Sequence, residues 1–216
     1  MAVSRSYYGR TFGLLEPFEF RDRAITSVAF LKLNDRQFIE LYPGFKPGQA
    51  RIAHVCLETG DIDTVVHTLT AAGLAPTAPN RARAGNLLSS VHDPEDNLVE
   101  FLEYLPGSLH SNAVGGGMSE DRLATAIRYV VFASTRPGAT GEFYRRKLGF
   151  AVEPFESGVR IWIPGPGKEW IELRGNAGAG CIGLAARNGT PTERRTDPNG
   201  VTLELLGPAG KPRSGN

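Results

Sequence analysis

The segment from Arg51 to Tyr104 has the clearest alternation of hydrophobic and polar positions in the chain. Its opening run places Ile52, His54 and Cys56 on one face of a predicted strand, because side chains alternate along a β-strand. Apolar residues then recur at helical spacing from Asp61 to Leu74. Alternation returns before Tyr104, so the segment predicts a strand, a helix and three further strands, which is a βαβββ module.

The last predicted strand of this segment carries a carboxylate among apolar neighbours. Glu100 shares a face with two leucines, whereas Val99 and Phe101 lie on the opposite face. A charged carboxylate on such a face costs several kcal/mol unless it is paired, neutralised or bound to a cation. One interpretation is that Glu100 lies at a solvated rim and that His54 is a core histidine with a hydrogen-bond partner. The other is that both residues are ligands of a cation.

Composition narrows the class of protein. The chain has 216 residues, 41% of them hydrophobic, with 24 basic and 23 acidic side chains, so it is globular and close to neutral. This balance argues against a nucleic-acid partner. The first ten residues contain no apolar run of signal-peptide length, and no stretch approaches the roughly 20 apolar residues of a membrane span. We therefore expect a cytoplasmic protein without a membrane partner, whose two cysteines, Cys56 and Cys181, are reduced.

The turn before the last strand resembles a known family signature. The vicinal oxygen chelate superfamily includes glyoxalase I, extradiol dioxygenases, and the fosfomycin and bleomycin resistance proteins. Its signature is a histidine on the opening strand and an Asp-Pro-x-x-Asn turn that leads into a strand with a glutamate. The corresponding residues here are His54, Asp93, Pro94, Asn97 and Glu100. Asp96 stands where the turn usually has glycine, and aspartate tolerates the left-handed backbone angles.

Internal repeats indicate a duplicated architecture. The residues from Tyr7 to Leu14 match those from Phe143 to Phe150, and both resemble the superfamily's Phe-Tyr-x-x-x-Leu-Gly-Phe helix end. In the same way, Phe38–Leu41 matches Trp170–Leu173, and the Asp-Pro turn before Glu100 is repeated before Glu204.

The predicted fold is α+β, with βαβββ modules paired in two domains. We expect a first domain over residues 7–105, a flexible Gly/Ser-rich linker over 106–124, a second, abbreviated domain over 125–207 and a disordered tail over 208–216. The first module lacks its opening strand, and the fourth lacks a helix and a strand. A homodimer, the opening strand of the third module, or a longer natural N-terminus could each compensate the missing strand.

The resemblance implies a divalent metal held by strand residues. The superfamily's ligand positions correspond to Glu40, His54 and Glu100, and the fourth would lie on the absent strand. One imidazole and two carboxylates suit Mn, Fe, Ni, Co or Zn, with water in the open positions. Glu40 and Glu100 are then the candidate catalytic carboxylates. Loss of the strand could instead have destroyed the site and left a ligand-binding or merely folded remnant.

The second domain has weaker ligand candidates. Tyr129 and Cys181 stand where the resemblance implies histidines, although Glu172 and Glu204 remain. An apolar strand raises the pKa of tyrosine and cysteine, which disfavours both residues as metal ligands. Because the extradiol dioxygenase pattern requires histidines at these two positions, that activity is disfavoured as well. We therefore expect this domain to be a scaffold or pocket wall. Trp162, Trp170 and Phe132 could line an apolar pocket, or they are ordinary core and rim aromatics. His92, at a strand end, could enter the cavity of the predicted site.

The sequence supports two functions. The first is a metal-dependent enzyme of lyase, isomerase or oxygenase type that acts on a small oxygenated molecule. The alternative is a metal-free protein that binds or sequesters a small molecule, as bleomycin resistance proteins do. No phosphate-binding loop, nucleotide fingerprint or Ser-His-Asp arrangement occurs at a predicted strand-to-helix turn.

Overall fold

The computed structural model describes residues 1–43, 52–175, 178 and 180–207. Helices and mostly antiparallel strands confirm the predicted α+β class. The predicted tail, 208–216, lies outside the described residues. None of the described helices is long and apolar enough to cross a membrane.

The chain divides into two compact units. The described residues of Met1–Arg51, Ala113–Tyr129 and Cys181–Asn216 form the first, and those of Ile52–Asn112 and Val130–Gly180 form the second. The units cut across the domains predicted from sequence, since each unit takes residues from both. The physical reason is contact between distant segments: the Tyr8 hydroxyl donates to Asp197 in the first unit, and the Tyr144 hydroxyl donates to Asp93 in the second.

The first unit contains one helix and two groups of strands. Its elements are α1 (Ala2–Phe12), β1 (Leu15–Asp22), β2 (Ile25–Lys32), β3 (Phe38–Leu41), residues 124–129 of β8 (Ala124–Ala133), β12 (Cys181–Ala186), β13 (Glu193–Thr196) and β14 (Thr202–Leu206). Strands β1, β2 and β3 are antiparallel, and β14 lies between β13 and β12. Gly13, in the left-handed conformation with φ of 69°, ends α1.

Side chains of the β2–β3 turn contact the backbone of β8 within the first unit. The Gln37 amide accepts from the Ile127 N–H at 2.8 Å and donates to the Ile127 carbonyl at 3.3 Å. Asn34 donates to the Thr125 carbonyl. These bonds hold the β2–β3 turn against β8. The predicted homodimer stays a prediction.

The predicted linker contains structure and is held by a buried cation. Residues 109–112 form helix α3 (Leu109–Asn112) of the second unit. In the first unit, the fully buried ammonium of Lys32 donates to the Ala113 carbonyl, to the Gly116 carbonyl at 2.7 Å and to Asp35. The backbone of this glycine-containing segment therefore binds the Lys32 ammonium through two carbonyl groups. Sequence composition alone did not indicate this contact.

The second unit combines two sheets with the short helix α3 and two longer helices. Its further elements are β4 (His54–Thr59), α2 (Ile62–Ala71), β5 (Asn80–Arg81), β6 (Leu87–His92), β7 (Leu98–Glu103), residues 130–133 of β8, α4 (Pro137–Lys147), β9 (Ala151–Phe155), β10 (Gly158–Trp162) and β11 (Trp170–Arg174). One sheet has the order β4-β7-β6-β5, and the other places β11 and β10 between β8 and β9.

A single core joins both sheets of the second unit. It consists of buried side chains from the helices and from alternate strand positions: Val55, Ile62, Leu69, Val91, Val99, Phe101, Phe132, Tyr144, Phe150, Ile161, Ile171 and Leu173. Because strand side chains alternate, His54 and Glu100 face outward from one sheet, and Trp162, Trp170 and Glu172 face outward from the other. Phe132 is a core residue and the two tryptophans face outward, so the three aromatics do not line one pocket and the alternative, ordinary core and rim aromatics, applies.

Glu95 ties the Asp93–Asn97 turn to the start of α4. Its carboxylate accepts hydrogen bonds from the Thr135 N–H and hydroxyl at 2.6 Å, the Thr140 hydroxyl at 2.9 Å, the Arg136 N–H and the Ser134 hydroxyl. Burial raises the pKa of Glu95, but these hydrogen bonds outweigh burial and lower it to about 2. The turn that leads into β7 is thus fixed by a carboxylate at a helix N-terminus.

His110 is buried in α3 as a neutral side chain. The Asn86 amide accepts from the Leu105 N–H, which orients its NH₂ group toward His110 Nδ1 at 2.8 Å. Nδ1 is therefore the acceptor, and the Tyr104 ring stacks on the imidazole at 5.2 Å. Burial lowers the pKa of His110 from 6.5 to about 4.

We expect His110 to make the fold sensitive to mild acid. Its folded-state pKa lies below its unfolded value, so the unfolded chain binds more protons between pH 6.5 and 4. The contribution to stability is complete above pH 6.5 and falls by about 3 kcal/mol toward pH 4. Urea unfolding at several pH values measures this slope. His110→Gln, which can still accept from Asn86, is expected to lack it; an unchanged slope would contradict the assignment.

Candidate functional site

His54 and Glu100 lie on the outer face of the β4-β7-β6 sheet. Parallel pairing sets His54 beside Leu98 and Cys56 beside Glu100. Antiparallel pairing on the other side of β7 sets Ser90 beside Glu100. The alternation seen in the sequence therefore places imidazole and carboxylate on one surface, away from the core under α2.

The two side chains lie slightly farther apart than two neighbouring ligands of one metal ion. His54 Nε2 and Glu100 Oε2 are 3.6 Å apart, with side-chain exposures of 12% and 20%. Two donors that each lie roughly 2.1 Å from one ion are about 3.0 to 3.4 Å apart. Small rotations would thus let both bind one cation, and their partial exposure leaves room for water or a substrate oxygen. The same pair can also exist as a hydrogen-bonded His–Glu couple.

Glu40, the third predicted ligand, belongs to the first unit. On β3 it pairs with Phe30 of β2, and its carboxylate accepts a hydrogen bond from Tyr42. Across the described ranges, no three or more His, Cys, Asp or Glu side chains are grouped so that they could hold a metal. The role of Glu40 as a ligand stays a prediction.

Glu172, a carboxylate at a ligand position of the third module, is committed to other partners. Only 1% of its side chain is exposed, and it forms ion pairs with Arg160 at 3.2 Å and with Arg174. The Trp170 indole N–H donates to it at 2.6 Å. The Arg160 guanidinium lies 3.8 Å from the centre of the Phe155 ring. Sequence reasoning missed this cluster, although the Arg-x-Trp and Trp-x-Glu-x-Arg patterns on adjacent strands could have indicated it.

Tyr129 and Glu204 also contact each other, in the first unit. The buried Tyr129 hydroxyl donates to Glu204, which lies 3.3 Å from Arg194. Gly183 is required beneath the ring, because a Cβ there would lie 2.1 Å from a Tyr129 ring carbon. Cys181 is buried and reduced, whereas Cys56 is reduced but exposed. These contacts suit the scaffold role that the sequence predicts for the second domain.

His92 lies at the end of β6 on the same outer face as His54. Its side chain is 57% exposed, with Nε2 3.8 Å from Asp96 Oδ1. Pairing sets it beside Leu98, the residue that also pairs with His54.

Comparison with solved structures identifies the fold. A Mn(II)-bound glyoxalase from Novosphingobium aromaticivorans aligns over 95% of this chain and 77% of its own, with a TM-score of 0.69 and 14% identity. A 2,3-dioxygenase from Pseudomonas sp. KL28 aligns over 99% of this chain and 90% of its own, with a TM-score of 0.69 and 13% identity. The 2,2',3-trihydroxybiphenyl 1,2-dioxygenase from Sphingomonas wittichii strain RW1 aligns over 98% of this chain and 88% of its own, with a TM-score of 0.60 and 15% identity.

These likenesses show that the chain shares the fold of the glyoxalase and the dioxygenases, as the sequence resemblance implied. No protein-family model matches the chain, and no curated protein matches its sequence. At 13–15% identity the alignments carry no activity across, so function must be argued from the site.

Proposed function

We propose that this protein is a divalent-metal-dependent enzyme that acts on a small oxygenated organic molecule. The observation that carries the proposal is the His54–Glu100 pair, 3.6 Å apart on an outward sheet face. The Mn(II)-bound glyoxalase of the same fold supports it by analogy. When bound, a divalent ion supplies Lewis-acid stabilisation of negative charge on substrate oxygens.

The chain's own residues would hold the ion and orient the substrate. His54 binds through Nε2 as neutral imidazole, and Glu100 binds through its carboxylate. Leu98, between His54 and His92 on the same face, offers an apolar contact for the carbon atoms of the substrate. Glu100 is also the proposed catalytic carboxylate, whereas Glu40, in the first unit, stays a ligand and catalytic candidate of the sequence resemblance alone.

The first test is whether the purified protein binds metal and gains stability from it. We expect Mn²⁺, Fe²⁺, Ni²⁺, Co²⁺ or Zn²⁺ at a hundred times its dissociation constant to stabilise the fold by about 2.7 kcal/mol, which raises the melting temperature by roughly 5 to 10 °C. Glu40→Gln should reduce this gain if Glu40 is a ligand. An unchanged melting temperature with all five metals would remove the mechanism.

A metal-free binding protein is the second candidate, and an aromatic surface of the first unit favours it. Phe18, Phe20, Phe30 and Phe38 share one face of the β1–β3 sheet with Glu40, and the rings of Phe18 and Phe30 are 4.5 Å apart. The opposite face carries the buried Ala29, Leu31, Ile39 and Leu41. On the aromatic face Phe30 is buried, whereas Phe18, Phe20 and Phe38 are partly exposed and could contact an apolar ligand. Binding of such ligands without any response to metals would favour this reading.

A further inference from the structure

His92 completes a row of side chains across three adjacent strands of the second unit. Strand pairing sets His54 beside Leu98 on β7 and sets Leu98 beside His92 on β6. Adjacent strands are about 4.8 Å apart, so the Cα atoms of the two histidines are about 10 Å apart on one face. A small molecule held at His54 and Glu100 would therefore extend over Leu98 toward the His92 imidazole.

The surroundings of His92 suit a group that exchanges protons with solvent. Its ring is 57% exposed, and Asp96 Oδ1 lies 3.8 Å from Nε2. Asp96 is fixed at this position by the turn, where it adopts φ of 66° and its N–H donates to the Asp93 carbonyl. The Asp96 carboxylate is therefore within ion-pair distance of the imidazole.

The proposed metal chemistry needs a base other than the ligands themselves. A carboxylate or imidazole that holds a cation loses basicity, because the positive charge favours its deprotonated form. Besides these two ligands, the titratable side chains on the outer face of β4, β7 and β6 are Cys56, Glu58 and His92. Of these, histidine titrates near neutral pH, where general acid–base catalysis is most effective.

We propose that His92 is the proton-transfer residue of the His54–Glu100 site, acting on a substrate with a C–H group next to a carbonyl. This inference rests on the proposed function. The imidazole takes the proton, the C–H electron pair moves toward the carbonyl carbon, and the carbonyl oxygen takes up the negative charge. The same imidazole then returns a proton to carbon or oxygen, so that no oxidant or further reactant is required.

Zn²⁺ titration followed by NMR tests the placement of His92. The chain has four histidines, and His92→Gln identifies the His92 signal by its loss. A divalent charge held at His54 and Glu100 should change the chemical shifts of the His92 ring, because it alters the electrostatic field there. His67, on the exposed side of α2 beyond the core, is the internal control and should not shift. Zn²⁺ that binds without moving the ring signals of His92 overturns the inference alone. Absence of binding by Zn²⁺ and by the other four metals overturns the proposed function together with it.

Deuterium exchange into hydroxyacetone tests the proton transfer itself. The Zn²⁺-loaded protein in D₂O should exchange the C–H protons next to the carbonyl, and His92→Gln should slow the exchange by roughly 100-fold. The variant should bind Zn²⁺ with unchanged affinity, which separates proton transfer from metal binding. His67→Gln is the matched control and should exchange at the unmodified rate. Equal rates in the His92 variant and the unmodified protein, or no Zn²⁺-dependent exchange in either, would overturn the inference.

Discussion

Glu172→Ala is expected to lower the free energy of unfolding by about 3 kcal/mol. The carboxylate is 1% exposed and lies between the Arg160 and Arg174 guanidiniums, whose side chains are 18% and 25% exposed. Its removal leaves two like charges side by side on aromatic rings and leaves the Trp170 indole N–H without its acceptor. Urea unfolding at pH 7 measures the change.

Glu153→Ala is the matched control for this prediction. Glu153 also pairs with Arg160, at 3.7 Å, but its side chain is 49% exposed. A solvated pair of this kind contributes less than about 1 kcal/mol. If both variants lose the same stability, burial between the arginines is not what makes Glu172 important. Neither variant should change metal affinity, because the cluster faces away from the core on the other sheet.

The second large effect is expected at the proposed ligands. His54→Ala and Glu100→Gln should each weaken Mn²⁺ binding by at least 100-fold, because each removes one of only two ligands that the second unit supplies. Glu100→Gln keeps the size of the side chain, so a loss in this variant reports on charge and not on packing. Tyr129→Phe, which removes the hydroxyl that donates to Glu204, should leave affinity unchanged.

The outward faces of His54 and Glu100 were predictable because they depend on local alternation, whereas their proximity also depends on the pairing of β4 with β7. Within a strand, period-two patterning decides the face of each residue, and the Asp93–Asn97 turn fixes where β7 begins. Both helices that pack on the second unit's core were also predictable from helical spacing and their glycine or capping residues. Asp61, for example, accepts from the Thr64 N–H at the start of α2.

The Glu172 cluster was not predictable, because it depends on register between strands. Arg160 lies opposite Glu172 in the β10–β11 pairing, and a shift of one residue would turn Arg160 to the core side. Likewise, the cap that Glu95 gives to α4 joins residues 39 to 45 positions apart. Sequence patterns describe the faces of elements, whereas these contacts depend on which elements become neighbours.

The compact units could not be derived from repeats alone. Repeats suggested that neighbouring modules form domains, but the Tyr8–Asp197 hydrogen bond joins residues 189 positions apart. In the second unit, Tyr144 donates to Asp93 in an equivalent way, and burial together with that carboxylate raises the pKa of the tyrosine above its usual range. Each Asp-Pro turn is therefore held by a tyrosine from the helix of a different module.

Calorimetric titration of Mn²⁺ into the metal-free protein, alone and as His54→Ala, tests the central claim most directly. We expect one site per chain and a loss of at least 100-fold in affinity in the variant. Mn²⁺ binding with equal affinity in the two proteins, or no binding in the unmodified protein, would contradict a metal site at His54 and Glu100.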